Sequence, residues 1–188
     1  MPLTTLSDVK EYLQIDSTIT DQDSVLTSLI KATSQAMENY CKRKLEKDTV
    51  IEEYDGTNSV NLYLKNFPIE SITEITVDGV LVDSTTYKVR KGEGIVVRTD
   101  GHWPHGILNI QATYETGYVT PDQVNADSTL TRTLPYDLEL ACKHLVMFYY
   151  KTDISDFSST FGEGVVMRPQ AWPSQVRALL SAYKKVLI

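Results

Sequence analysis

The sequence predicts an α+β fold: a helical core of two amino-terminal and two carboxyl-terminal helices, interrupted by an inserted antiparallel β block. Three observations predict it. Apolar residues recur at spacings of three, four and seven before residue 48 and after residue 134. Between those limits they alternate by two, in runs rich in β-branched residues. Turn residues punctuate the middle at short intervals, with Asp78-Gly79 between Val77 and Val80 the clearest hairpin signal. The expected division is a helical core of residues 1–47 and 135–188 around a β-rich insertion, 48–134.

The elements follow in order. Leu6–Leu13 reads as a short helix, with Ser7 as N-cap and Asp8 near the positive helix start. A second helix is expected from Thr20–Asp23, Thr20 capping it and Asp23 answering three residues later. Its stripe is Val25, Leu26, Leu29, Ile30, Ala36, Met37, Tyr40 and Cys41, and Lys42-Arg43-Lys44 would fall in its last turn, where cations suit the negative end of the dipole. Thr49–Tyr54, Val60–Leu64, Ile69–Val77, Tyr87–Arg90, Gly94–Arg98 and Ile107–Tyr114 belong to roughly six or seven strands, as an antiparallel sheet or small sandwich. Residues 116–134 read as a polar connector.

Helix resumes at Pro135, a good first-turn residue. Leu138, Ala141, Cys142, Leu145 and Tyr149 share a stripe, and Leu140, Val146, Met147, Phe148 and Tyr150 spread apolarity around it. A helix so apolar needs cover on more than one side. Residues 152–172 read as a loop bearing Gly162 and Gly164, and a terminal helix begins at Pro173 with Val176, Leu179, Leu180, Tyr183, Val186 and Leu187 on one face.

Composition narrows the function. The net charge is −7, and residues 135–188, with 5 acids and 6 bases, form the only segment that is not acidic. No basic run dominates, so sequence-independent clamping of phosphates is not expected. Cys41 and Cys142 sit in helical apolar patterns and predict buried thiols rather than a disulfide. Met1-Pro2-Leu3-Thr4 does not open a signal peptide, and no apolar run reaches the ~20 residues of a membrane span, which predicts a product made in the cytosol.

No constellation for catalysis stands out. His102-Trp103-Pro104-His105 places two imidazoles three apart, but Pro104 restricts the turn and no third metal ligand accompanies them. His144 has no nucleophile motif beside it. Gly92-Glu93-Gly94 and Gly162-Glu163-Gly164 lack the spacing and strand-to-helix context of a phosphate cradle. Glu52 and Glu53 point to opposite faces of a strand. The expectation is no catalytic residue, no metal and no cofactor. Eleven tyrosines and helices in need of outside cover point to contact surfaces instead.

Several stretches, in order, resemble one family. Leu3-Thr4-Thr5-Leu6-Ser7-Asp8-Val9-Lys10-Glu11-Tyr12-Leu13, Leu29-Ile30-Lys31-Ala32, Met37–Cys41, Leu134-Pro135-Tyr136-Asp137-Leu138-Glu139-Leu140-Ala141 and Val176–Val186 resemble the head–tail connector (adaptor) proteins of tailed bacteriophages. Ile69–Val80 and Thr113–Tyr118 are similar to the β insertion of longer members. The resemblance implies a virion protein of the neck, made in the host bacterial cytoplasm, with no membrane association. It implies a ring of about twelve copies under the portal vertex. Such a ring extends the DNA channel, through which DNA passes without sequence-specific binding, and receives head-closure (stopper) or tail-terminator proteins. The alternatives are another neck or tail-completion protein, or a β-sandwich binding module.

On this reading the terminal helix reaches the portal or a neighbouring copy through Trp172, Val176, Arg177, Leu180, Tyr183, Lys184, Val186, Leu187 and Ile188. Phe161, Gly162, Gly164, Met167 and Arg168 would form a docking loop that orders on assembly. The competing expectation is that the same helix packs on the second and third helices of its own chain.

Overall fold

The computed structural model describes residues 2–159 and 172–185. The chain divides into two compact units, one of residues 1–42 and 119–188, the other of residues 43–118.

The first unit is helical: α1 (Leu6–Leu13), α2 (Asp23–Cys41), α3 (Pro121–Ala126), α4 (Tyr136–Ser159) and α5 (Ser174–Ser181). α4 is its centre, in contact with α1, α2 and α5. Val9, Leu26, Ile30 and Val146 form one buried cluster, and Leu138, Ala141, Cys142 and Leu145 are fully buried along α4. One stripe of α4 is thus covered by its own chain, while Leu140 on another side is exposed. Both cysteines are buried thiols outside any disulfide, and burial pushes the Cys142 thiol up.

Local chemistry moved several helix ends from where the sequence placed them. α1 is capped by Thr5, whose hydroxyl accepts from the Asp8 amide at 3.1 Å, so Ser7 lies inside the helix. α2 has no side-chain cap. Asp23 opens it with its carboxylate held by Lys10 at 2.5 Å, and the Lys10 ammonium also donates to the Ile19 carbonyl at 2.7 Å. That buried amine draws the 14–22 loop around itself, while Gln22, not Thr20, stands at the N-cap. The basic trio is not in the last turn of α2. The helix stops at Cys41, Lys42 closes it in the left-handed conformation with its amide on the Glu38 carbonyl, and the chain then leaves.

The polar connector contains α3, closed by a full capping box between Thr120 and Gln123 with Pro121 at the first turn. Behind it, Thr133 ties to Val119: the Val119 amide donates to the Thr133 hydroxyl at 2.8 Å and the Thr133 amide to the Val119 carbonyl at 3.1 Å. These bonds place residues 119–134 in the helical unit rather than the β block. The backbone of α4 stays helical to Ser159, into the segment expected to be loop.

The second unit is a sandwich of β1 (Asp48–Gly56), β2 (Asn61–Tyr63), β3 (Ile69–Val77), β4 (Val80–Leu81), β5 (Tyr87–Arg90), β6 (Ile95–Arg98) and β7 (Gly106–Thr116). One sheet runs β1-β7-β3-β4 and the other β2-β6-β5, all pairs antiparallel. Tyr54, Ile75, Ile110 and Tyr114 from the first sheet share a core with Leu62 and Val96 from the second. Trp103, 1% exposed, plugs it, its indole N–H donating to the Val96 carbonyl at 3.3 Å. The turn around it leaves His102 and His105 exposed.

Inside the sandwich a polar knot survives because every member is paired. The Glu52 carboxylate accepts from both the Tyr54 and Tyr114 hydroxyls, the latter at 2.6 Å, and from the Asn66 amide at 3.0 Å. The hydroxyls in turn accept from the Lys65 and Asn66 backbone amides at 2.9 and 3.2 Å. Burial, then the bond to Glu52, raises both phenols well above their usual 10.0. The unfolded chain therefore sheds these protons first, so the stability they contribute is complete below pH 10 and is lost as pH climbs beyond it. Tyrosinate absorbance followed through an alkaline titration is expected to show these two phenols appearing together with loss of β-sheet dichroism, not before it.

Candidate interaction surfaces

The terminal helix was the leading candidate for outside contact. Pro173 sits at its N-cap and α5 occupies Ser174–Ser181. Val176 and Leu180 are fully buried within the helical unit, where α5 packs on α4 and α2. Three further ties hold the segment there. The Trp172 indole donates to the Tyr149 hydroxyl at 2.9 Å and its ring lies 5.4 Å from Tyr40. The Tyr183 hydroxyl meets both oxygens of Asp137 at 2.8 Å. The Lys185 amide donates to the Cys41 carbonyl at 2.9 Å, satisfying an acceptor that the end of α2 leaves open. The apolar face of α5 is thus covered by its own chain.

Arg177 and Lys184 remain exposed, with the Lys184 ammonium 5.3 Å from the Tyr40 ring centre. Phe161, Gly162, Gly164, Met167, Arg168, Val186, Leu187 and Ile188 lie outside the described residues.

The β unit carries surface features that sequence reading missed. Strand register sorts its side chains into two outer faces. On the four-stranded sheet the outward rows are Thr49, Glu115 and Ser71, then Ile51, Thr113 and Glu74, then Glu53, Gln111 and Thr76. On the three-stranded sheet the outward rows are Asn61, Val97 and Lys88, then Tyr63, Ile95 and Arg90. Alternation would have given each strand's outward set. Which strands lie side by side is not written locally, so the combined face was not legible.

Among the described residues no group of three His, Cys, Asp or Glu side chains is placed to hold a metal ion. No described helix is long and apolar enough to cross a membrane.

The model of the head completion protein family matches residues 2–186. The chain belongs to that family. No curated protein matches its sequence. Among solved structures, a chain in the neck of an empty gene transfer agent particle, computed with C6 symmetry, is 15% identical with a TM-score of 0.67. A chain in the neck of the native particle, computed with C12 symmetry, is 14% identical with a TM-score of 0.63. One in the virion of the native particle is also 14% identical, with a TM-score of 0.65. Each similarity covers 99% of this chain and 91% of the other. The α+β architecture of this head completion protein is therefore shared over its whole length, sheets included.

The burial of α5 has a measurable consequence. Leu180→Ala is expected to lower unfolding free energy by about 2–5 kcal/mol, as for other buried leucines. Arg177→Glu, on the exposed side of the same helix, is expected to change it by no more than about 0.5 kcal/mol. Urea denaturation of the two variants checks the contrast.

Proposed function

We propose that this protein is a structural head–tail connector of a tailed phage-like particle. It forms a ring of about twelve copies beneath the portal, extends the DNA channel and receives head-closure or tail proteins. Its place of action is the neck of the virion. The observation that carries this is the family match over residues 2–186. The necks that hold the similar folds, computed with C6 and C12 symmetry, support a ring.

The chemistry of the chain suits such a role. A net charge of −7 without a basic run lets DNA slide past rather than adhere. The protein works through surfaces rather than by catalysis. Arg177 and Lys184, the exposed bases of the terminal segment, are the side chains we assign to the portal or the next copy, while Val176, Leu180, Trp172 and Tyr183 hold that segment in shape.

A nonsense mutation in the gene, in the phage or prophage that carries it, is expected to yield filled or leaking heads and free tails. Expression of the protein in trans should restore joined particles. Electron microscopy of the lysate reads the result, and normal numbers of tailed, infectious particles without the protein would sink the proposal.

A further inference from the structure

The two outer faces of the β sandwich carry opposite charge. The outward rows of the four-stranded sheet hold Glu53, Glu74 and Glu115 and no basic residue. Hydrogen bonds confirm that they share a face: Ser71 donates to Glu115 at 3.0 Å and Thr113 to Glu74 at 3.5 Å. The outward rows of the three-stranded sheet hold Lys88 and Arg90 and no acidic residue. Local neutralisation is slight. Lys47 reaches Glu115 only at 3.9 Å, and Arg90 meets Glu93 at 3.5 Å with both side chains 62% exposed.

Each face also exposes apolar surface amid its charges. Ile51 is 67% and Leu81 66% exposed on the acidic side, Leu81 extending the row of Glu53, Gln111 and Thr76. Tyr63 is 46% exposed on the basic side, in the row of Ile95 and Arg90. Because the sheets share one core, the faces look in opposite directions. A surface paired with its own complement on the far side of the same body makes head-to-tail contacts, which close into a ring when successive copies are related by a suitable rotation.

We infer that the occupant of each face is the opposite face of a second copy of this chain, so that the β units supply a ring contact, acidic sheet against basic sheet. The inference rests on the ring reading above and names its surface. Opposite charge steers and orients the encounter, and the apolar side chains supply the desiccated centre.

The test uses the full chain and two charge-reversed variants. Glu53→Lys with Glu74→Lys makes both faces basic, and Lys88→Glu with Arg90→Glu makes both acidic. All four residues are exposed, so the fold is expected to persist by circular dichroism. In sedimentation velocity at low salt the unmodified chain should self-associate with a dependence on concentration that added salt suppresses. Each variant alone should associate about tenfold or more weakly. An equimolar mixture of the two should associate again, since every contact between unlike variants pairs an acidic with a basic face. That rescue also excludes misfolding as the cause of the loss. An unmodified chain that stays monomeric, a variant that associates undiminished, or a mixture that fails to recover overturns the proposal. None of these touches the neck reading, which stands or falls on the particle.

Discussion

The β unit exists as an insertion because its two ends are fastened to each other. The Tyr118 amide donates to the Leu45 carbonyl at 2.8 Å and the Lys47 amide donates to the Tyr118 carbonyl at 2.7 Å, with Glu46 and Tyr118 bridged in parallel. Beside them Gly117, at φ 92°, lies so close that a Cβ would sit 2.1 Å from the Glu46 carbonyl oxygen. Only glycine meets both demands. This clasp starts the β1–β7 register, with Asp48 opposite Thr116, and that register sets the rest of the larger sheet. Arg43 adds to it by laying its guanidinium 4.1 Å over the Phe67 ring while donating to that residue's carbonyl. Once the ends are held together, the length of chain between them costs little extra loop entropy.

Buried charge is the second theme, and two instances are compensated locally. Lys10, 6% exposed, is met by Asp23 and a loop carbonyl. Glu139, 4% exposed, is met by Arg132 and Lys143, both at 2.6 Å. Such groups stabilise weakly in net terms, because their desolvation offsets most of the attraction, but losing one partner strands the other. Their effect here is to fix loops: Lys10 gathers the segment between α1 and α2, and Arg132 anchors the segment before α4.

What was legible in the sequence was periodic. The stripes of α2, α4 and α5, the Asp78-Gly79 hairpin and the alternating strands all follow from side-chain spacing. The helix starts differ from the pattern by one or two residues: Thr5 rather than Ser7 caps α1, and α2 begins after Gln22 with no side-chain cap, its first carboxylate, Asp23, held by Lys10. α3 was passed over although Thr120-Pro121-Asp122-Gln123 spells its capping box, because six residues are too few for an apolar stripe. Trp103 looked like part of a surface turn, yet it fills the sandwich core. The terminal helix shows the limit most plainly. An apolar face announces that something covers it, but not whose surface does, and for Val176 and Leu180 the cover is the chain itself.

The helices of this head completion protein pack into a unit of their own, and its sheets form the other. The fold it shares along 99% of its length with neck chains, and its membership of the head completion family, put the central claim on the assembled particle. The most direct measurement is a cryo-electron microscopy map of the particle encoded with this gene, refined around the portal vertex. The account predicts a symmetric ring of this α+β fold between portal and tail. A neck density that this fold does not fit, or the protein found only elsewhere in the particle, would contradict it.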